Sequence, residues 1–220
     1  MFDTLILLTL KFQQPILANI LRTHRPRLDV LCAESLTELE AIGPERLARA
    51  RLIAFTTSVI VPDEILNALG FRAYNFHPGS PSYPGWAPAP FAIYDRARSF
   101  GATAHEMVEE VDAGPIVGAD LFDIPPGTTV EGLETLAFSR LALLYRRLAG
   151  PLATSAEPLP QLPVRWSGRK STRRMCASAC EIPVDISADE LTRRVAAFGS
   201  LAVGISPTIT LHGFQFRIAS

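Results

Sequence analysis

The sequence predicts an α/β fold: a doubly wound, mostly parallel sheet of the Rossmann-like kind, followed by a small C-terminal α+β appendage. Short apolar segments alternate with amphipathic segments through the first 150 residues, and several apolar segments are continuous, as in strands that helices cover on both faces. After Gly150 this alternation stops and prolines become frequent. We therefore predict a core over residues 1–150, a Pro-rich linker over 151–165 and a small C-terminal subdomain over 166–220.

The apolar segments of the core predict six strands. They are Thr4–Leu8, Asp29–Cys32, Leu52–Thr57, Arg72–Phe76, Ala102–Met107 and Ile116–Phe122. The first segment is too short to cross a bilayer, and neither a basic stretch nor a small-residue cleavage site accompanies it. Three cysteines, an odd number, suit a reducing compartment. We therefore expect a cytoplasmic protein without a membrane segment.

The segments between the strands predict helices. Pro15–Leu21 places its apolar residues on one face. A shorter helix begins at Pro62 and ends at Gly70, with proline early and glycine late. Thr128 and Glu131 have the spacing of a capping box, which predicts the start of a longer helix with a leucine stripe.

The C-terminal part predicts a smaller unit. A basic segment covers Arg165–Arg174, a helix is predicted over Asp189–Phe198, and a pair of strands over Thr208–Ile218 turns at His212 and Gly213. The basic segment is typical either of a solvated surface or of a phosphate-binding patch, and both interpretations stay open.

Composition disfavours some classes of function. The formal net charge of the chain is -1, so no overall positive field attracts nucleic acid or acidic lipid. Cys176 and Cys180 lack a second pair of ligands or a nearby histidine, which disfavours a zinc site. We therefore expect no metal, no membrane and no nucleic-acid partner.

Two polar residues lie at the end of the fourth predicted strand. Side chains alternate along a strand, so Asn75 and His77 point to the same side and Phe76 to the other. Pro78 and Gly79 end the strand directly after His77. The amide and the imidazole are therefore expected at a carboxyl end of the sheet, where α/β folds bind ligands. A purely structural histidine at a strand end is the alternative interpretation.

A carboxylate lies in a tight turn between the last two predicted strands. Asp112 precedes Gly114 and Pro115, and Ile116 begins the next apolar run. Asp is frequent in such turns because its side chain accepts hydrogen bonds from nearby backbone N–H groups. A solvated turn aspartate is therefore the alternative to a functional carboxylate.

Four short motifs occur in order along the chain. They are Asn75-x-His77-Pro78, Gly85-x-x-Pro88, Gly101-x-Thr103-x-His105 and Asp112-x-Gly114-Pro115-Ile116. By these motifs the sequence resembles the formyltransferase family that uses 10-formyltetrahydrofolate, most clearly over residues 50–150. The resemblance implies a 10-formyltetrahydrofolate donor and, as acceptor, a primary amine of a small metabolite such as an amino sugar or a nucleotide-linked amino sugar. A hydrolase that releases formate, a non-catalytic folate-binding regulator and a homodimer stay open.

The resemblance also implies roles for single residues. Asn75, His77 and Asp112 occupy the catalytic positions. The Asn75 amide and a protonated His77 would donate hydrogen bonds to the oxyanion of a tetrahedral intermediate, while Asp112 raises the pKa of His77 and passes on the proton of the amine. Tyr83 and Trp86 are expected to stack on the acceptor, and packing of these rings against their own loop is the alternative. The implied folate-binding residues are Ser58, Val59, Val61, His105, Val108, Glu109 and Val111; for His105, a histidine packed on the sheet is the alternative.

Overall fold

A six-stranded sheet forms the core of the computed structural model, which describes residues 2–199 and 205–217. Its strands are β1 (Thr4–Leu8), β2 (Asp29–Ala33), β3 (Ala50–Phe55), β4 (Tyr74–His77), β5 (Ser99–Glu106) and β6 (Ile116–Asp123). Their spatial order is β2-β1-β3-β4-β5-β6. Strands β1 to β4 pair in parallel, and β5 is antiparallel to both of its neighbours. The predicted mostly parallel α/β sheet is confirmed.

Helices cover the sheet on both faces. They are α1 (Gln14–His24), α2 (Leu36–Glu40), α3 (Pro44–Leu47), α4 (Asp63–Ala68), α5 (Pro88–Tyr94), α6 (Val130–Thr154), α7 (Arg173–Cys180) and α8 (Ala188–Phe198). Strand β1 shows why two layers form: Leu5 and Leu7 pack against α1 and α6, whereas Ile6 and Leu8 pack against α2, α3 and α4. All four side chains are fully buried, and each such burial stabilises the fold by about 1.5–3 kcal/mol.

Helix α6 differs from its prediction at both ends. Its N-cap is Thr129, whose hydroxyl accepts a hydrogen bond from Gly132 N at 3.1 Å. The prediction of Thr128 as the cap is wrong by one residue, because the Thr128 hydroxyl instead donates to the Pro125 carbonyl at 2.6 Å. The helix also passes through Pro151 and ends at Thr154, inside the segment predicted as a linker. The division of the chain into domains stays a prediction.

The C-terminal part contains a second, three-stranded sheet. Its strands are β7 (Glu181–Ile182), β8 (Thr208–Leu211) and β9 (Phe214–Arg217), in that spatial order. Left-handed φ values at His212 (51°) and Gly213 (85°) form the hairpin turn where it was predicted; Ile218, the end of the predicted strand pair, lies outside the described residues. Helix α8 packs on the core through Phe198, whose ring centroid is 5.3 Å from that of Phe91 in α5. Among the described helices, none is long and apolar enough to cross a lipid bilayer.

Candidate functional site

Strand β4 positions the first two candidate residues. Phe76 enters the buried cluster beneath α6, where its ring lies 5.2 Å from that of Tyr145. Asn75 and His77, one residue to either side, project from the opposite face of the strand. The strand ends at His77, directly before Pro78. The alternation expected from the sequence therefore brings the amide and the imidazole to the same side of the sheet.

The loop between β5 and β6 brings a carboxylate to this pair. Asp112 has a left-handed φ of 49°, a conformation that Asp tolerates better than most residues. Its Oδ2 lies 3.4 Å from His77 Nδ1, and its Oδ1 accepts a hydrogen bond from Asn75 Nδ2 at 3.4 Å. The three residues predicted as catalytic thus meet in space. Their catalytic role stays a prediction.

A second histidine belongs to the same cluster. His105 lies opposite Asn75 on β5, and its Nε2 is 3.1 Å from both Asn75 Nδ2 and Asp112 Oδ1. His77, His105 and Asp112 are 6%, 2% and 5% exposed, so the carboxylate depends on these neighbours rather than on bulk water. The sequence placed His105 among the folate-binding residues; in the structure its direct side-chain partners are Asn75 and Asp112.

The electrostatics of the cluster differ from the expectation in one respect. Burial lowers the pKa of His77 below its ordinary value of 6.5, and the nearby charge of Asp112 only partly opposes this effect. The expected rise in the pKa of His77 is therefore wrong. For Asp112, burial opposes ionisation, but the contacts with His105, His77 and the Gly85 N–H outweigh it and lower the pKa to about 2. At neutral pH the cluster holds a carboxylate beside a neutral His77.

The proline-rich loop after β4 closes around the cluster. His77 Nε2 lies 3.0 Å from the carbonyl oxygen of Tyr83, and Gly85 N donates to Asp112 Oδ2 at 2.8 Å. Gly85 has φ 96°, and a Cβ there would overlap the backbone carbonyl of Ser171. Glycine is therefore required both for the left-handed backbone and for the close approach of the C-terminal chain.

The C-terminal chain supplies contacts that the sequence did not reveal. The Ser171 hydroxyl lies 3.1 Å from the Pro84 carbonyl and 2.6 Å from the Trp86 carbonyl, so it fastens the loop that carries Gly85. The Trp166 ring meets His105 and His77 edge-on, with centroids 5.1 and 5.9 Å away. Trp166 lies within the basic segment Arg165–Arg174, and no local motif signals either contact.

Two cavities meet at the cluster. The larger has a volume of about 440 Å³ and is lined by Trp86, Lys170 and the side of β4 that carries His77; the smaller, of about 70 Å³, lies between the segments 57–61 and 107–112. Asn75 and Asp112 line both. These two residues therefore stand where a donor molecule in one cavity would meet an acceptor in the other.

Strained backbone concentrates on the larger cavity. Thr56, Ala87 and Asp112 line it with φ values of 49°, 53° and 49°, and Gly85 lines it as well. Left-handed conformations are costly for non-glycine residues, above all for a β-branched one, and they persist mainly where function requires them. The concentration of such residues supports this cavity as a functional site.

The predicted ligand contacts divide between the cavities. Six of the implied folate-binding residues line the smaller cavity: Val59, Val61, His105, Val108, Glu109 and Val111. Ser58 and Trp86 line the larger one. Tyr83 lines neither, because its ring packs in the core with its centroid 5.9 Å from that of Phe100. As ligand contacts, all of these residues stay predictions.

A resident metal has no evident place in the described part of the chain. Within residues 2–199 and 205–217, no group of three or more His, Cys, Asp or Glu side chains is arranged to hold a metal ion.

Comparison with known proteins relates about half of the chain to one family. The family model described as formyl transferase matches residues 33–140, which include Asn75, His77 and Asp112. Over these residues the chain resembles the formyl transferase family. Among curated relatives, the methionyl-tRNA formyltransferase of Streptococcus suis is 31% identical over 133 residues, 60% of this chain and 41% of the relative. That of Thermotoga neapolitana is 31% identical over 109 residues, 44% of this chain and 35% of the relative.

The matched part of the chain spans less than half the length of those curated relatives. Its fold resembles a sugar N-formyltransferase from Shewanella, with a TM-score of 0.81 at 17% identity over 99% of this chain and 96% of that one. It also resembles the methionyl-tRNA formyltransferase from Clostridium thermocellum, with a TM-score of 0.64 at 14% identity over 99% and 91% of the two chains. At these identities the structures show the shared fold.

Proposed function

We propose that this protein transfers a formyl group from 10-formyltetrahydrofolate to a primary amine of a small metabolite. The observation that carries the proposal is the meeting of Asn75, His77 and Asp112 at the junction of two cavities. A transferase needs this layout because donor and acceptor must present their reacting atoms to one set of polar groups. The two cavities also give each substrate its own side of the cluster.

The smaller cavity is the proposed place for the pterin ring of the donor. Its mouth is apolar: Ile60, Val108 and Val111 are 62%, 39% and 41% exposed, which is high for such side chains. Burying them under a flat ring stabilises the complex by about 25 cal/mol for each Å² removed from water. Among the structural neighbours, one from Helicobacter canadensis is described in complex with folinic acid and dTDP-3-aminofucose, and another with 5-N-formyl-THF.

The cluster has the groups that the transfer requires. Attack of the amine on the formyl carbon gives a tetrahedral intermediate with negative charge on oxygen, and the amine nitrogen must lose a proton. The Asn75 amide is a neutral donor for the oxyanion, and loss of such a donor typically costs about 10²–10³ in rate. Asp112 stays ionised at neutral pH because its pKa is about 2, so it can stabilise the developing ammonium and direct its proton.

The role of His77 follows from its two ring nitrogens. Nε2 faces the carbonyl of Tyr83 and Nδ1 faces Asp112. Because a carbonyl oxygen only accepts, Nε2 carries the ring proton in the neutral form. His77 is thus held at the junction as a neutral imidazole that fastens the loop through Nε2 and keeps an unprotonated Nδ1 beside Asp112, rather than as the imidazolium that the sequence suggested.

The larger cavity is the proposed acceptor site. An amino sugar or nucleotide-linked amino sugar suits it because Trp86 offers an aromatic face and Lys170 a cation for an anionic group. Lys170 Nζ is paired with Glu110 Oε1 at 2.9 Å in the structure, so an anionic acceptor would compete with that carboxylate. We propose the cytoplasm as the place of action and leave homodimer formation as a prediction.

The test is to incubate the protein with 10-formyltetrahydrofolate, with and without a panel of amino sugars, nucleotide-linked amino sugars and amino acids, and to follow tetrahydrofolate release. The proposal predicts release that depends on one class of amine. Release without any amine would show a hydrolase instead, and folate binding without any release would show a regulator. Asn75→Ala provides the control, with loss of release and retention of folate binding expected.

A further inference from the structure

The contacts of His105 cannot all form in one protonation state. Nε2 lies 3.1 Å from Asn75 Nδ2 and 3.1 Å from Asp112 Oδ1, and these two atoms are themselves 3.4 Å apart. The three atoms form a nearly equilateral triangle. An amide nitrogen donates and a carboxylate oxygen accepts. A ring nitrogen between them can therefore accept from the amide or donate to the carboxylate, but it cannot do both at once.

The other ring nitrogen settles the tautomer. His105 Nδ1 lies 2.9 Å from the backbone carbonyl of Glu106. A carbonyl oxygen only accepts hydrogen bonds, so Nδ1 carries a proton in both the neutral and the charged ring. In the neutral ring Nε2 is therefore bare, which means that it carries no proton. The neutral and the charged ring differ only in the proton on Nε2.

Each state of Nε2 selects a different partner. A bare Nε2 accepts a hydrogen bond from Asn75 Nδ2 and holds that amide within the cluster. A protonated Nε2 donates to Asp112 Oδ1, and the Asn75 hydrogen that Nε2 had accepted is released. Since Asn75 and Asp112 both line the two cavities, a released Asn75 amide is free to turn toward a bound formyl oxygen.

We propose that His105 is a further catalytic residue of the formyl-transfer site, one that takes up the proton of the attacking amine at Nε2 and thereby releases the Asn75 amide toward the oxyanion. The inference rests on the proposed function and adds a residue to it. In this role His105 holds the transferred proton beside Asp112 and controls Asn75, and it is not the folate contact predicted from the sequence. The Asn75 amide is then released at the step that needs it, because the oxyanion and the departing amine proton appear together.

The proton balance closes over one turnover. The N–H bond of the acceptor amine breaks as its nitrogen bonds to the formyl carbon, and the proton forms an N–H bond at His105 Nε2 beside the Asp112 carboxylate. When the intermediate collapses, the bond from the formyl carbon to the folate nitrogen breaks. The proton leaves Nε2 for that nitrogen, and tetrahydrofolate departs with the bare Nε2 restored.

The surroundings of His105 favour the uptake and release of a proton at Nε2. The ring is 2% exposed and lies edge-on to Trp166 with centroids 5.1 Å apart, so bulk water does not compete for Nε2. The titratable and charged groups around it are Asp112, Glu109 and Glu110 from the β5–β6 loop, His77 from β4, Glu106 from its own strand and Lys170 from the C-terminal chain. Asp112 is the group in direct contact with Nε2.

The variant His105→Gln separates proton uptake by His105 from hydrogen bonding by its side chain. A glutamine side chain can form hydrogen bonds with Asn75 and Asp112, but it does not take up a proton. We expect kcat for tetrahydrofolate release to fall by about 10²-fold with little change in KM for the donor. We also expect the dependence of kcat on pH to differ from that of the wild type, since glutamine cannot hold the proton that Nε2 takes up. His24→Gln, on the exposed end of α1, is the matched control and should keep the wild-type profile.

A second measurement does not depend on activity. The chain has 4 histidines, so the ring nitrogens of ¹⁵N-labelled protein can be assigned by NMR with the two variants. We expect His105 Nδ1 to be protonated throughout the titration, and the Asn75 side-chain amide signal to shift with the same midpoint as His105 Nε2. That shift should be absent in His105→Gln.

Two results would overturn the inference. One is a His105→Gln enzyme with the wild-type pH profile and a raised KM for the donor, which would make His105 a folate contact. The other is an Asn75 amide signal that does not follow the titration of His105. Failure of the proposed function is distinguishable, because it would show as no tetrahydrofolate release by the wild type with any amine, while the NMR coupling is measured independently.

Discussion

Replacement of Asp112 by asparagine separates the charge of the cluster from its shape. The amide is nearly isosteric with the carboxylate and keeps one oxygen to accept from Gly85 N, a contact of 2.8 Å in the wild type. The loop that carries Gly85 should therefore stay in place. What Asp112→Asn removes is the negative charge beside His77 and His105, and with it the group that directs the proton of the amine.

The size of the stability effect follows from the pKa of Asp112. Its fall from an ordinary value of 3.8 to about 2 corresponds to about 2 kcal/mol of stability at neutral pH. Because the pKa is lower in the folded protein, this stabilisation is complete above pH 3.8 and is lost as the pH falls toward 2. At pH 3 about half of it should remain.

The assay is urea unfolding of wild type and Asp112→Asn at pH 7 and at pH 3, together with the rate of formyl transfer at pH 7. We expect a difference in the free energy of unfolding of about 2 kcal/mol at pH 7 and about 1 kcal/mol at pH 3, and a loss of transfer rate of about 10²–10⁴. An equal difference at both pH values would refute the electrostatic reasoning. A variant that folds and transfers formyl groups at the wild-type rate would refute the catalytic assignment.

Three further changes probe the surroundings of the cluster. Gly79→Ala should lower kcat by at least about tenfold while the fold persists, since the new methyl group would overlap Nε2 of His77; wild-type kinetics would contradict this. Val111→Glu puts a charge into the wall shared by both cavities and should raise KM for the donor, whereas Val184→Glu, at an exposed valine, should not. The pKa of His77 lies below 6.5 in the folded protein, so the unfolded chain binds this proton more readily. The free energy of unfolding should therefore fall when the pH is lowered from 7, and it should fall less in His77→Asn.

The sheet could be predicted because its strands have a strong local signal. Strand β1 is predicted to the residue, since its five residues, four of them apolar, are buried on both faces of the sheet. Helix α5, which contains Pro88 and Pro90, was not predicted. Both prolines lie in the first turn of that helix, where their missing N–H groups have no partner to lose.

The site was predictable only as far as its motifs reach. The sequence places Asn75 and His77 on one side of a strand, but the contact of Asn75 with Asp112 across 37 positions depends on a left-handed turn that no local pattern specifies. Trp166 and Ser171 escaped prediction because they bond to backbone carbonyls of distant segments, and such contacts leave no side-chain motif. The pKa of His77 was predicted in the wrong direction, since the sequence names its neighbour Asp112 but not its burial.

The most direct measurement supplies 10-formyltetrahydrofolate carrying carbon-13 in the formyl group and follows the label by mass spectrometry in the presence of the amine that supports turnover. We expect the wild type to place the label on the acceptor as an N-formyl group, with one tetrahydrofolate released for each formylated amine, and Asp112→Asn to place almost none. Label recovered as free formate, or equal transfer by both proteins, would contradict formyl transfer by the cluster of Asn75, His77 and Asp112.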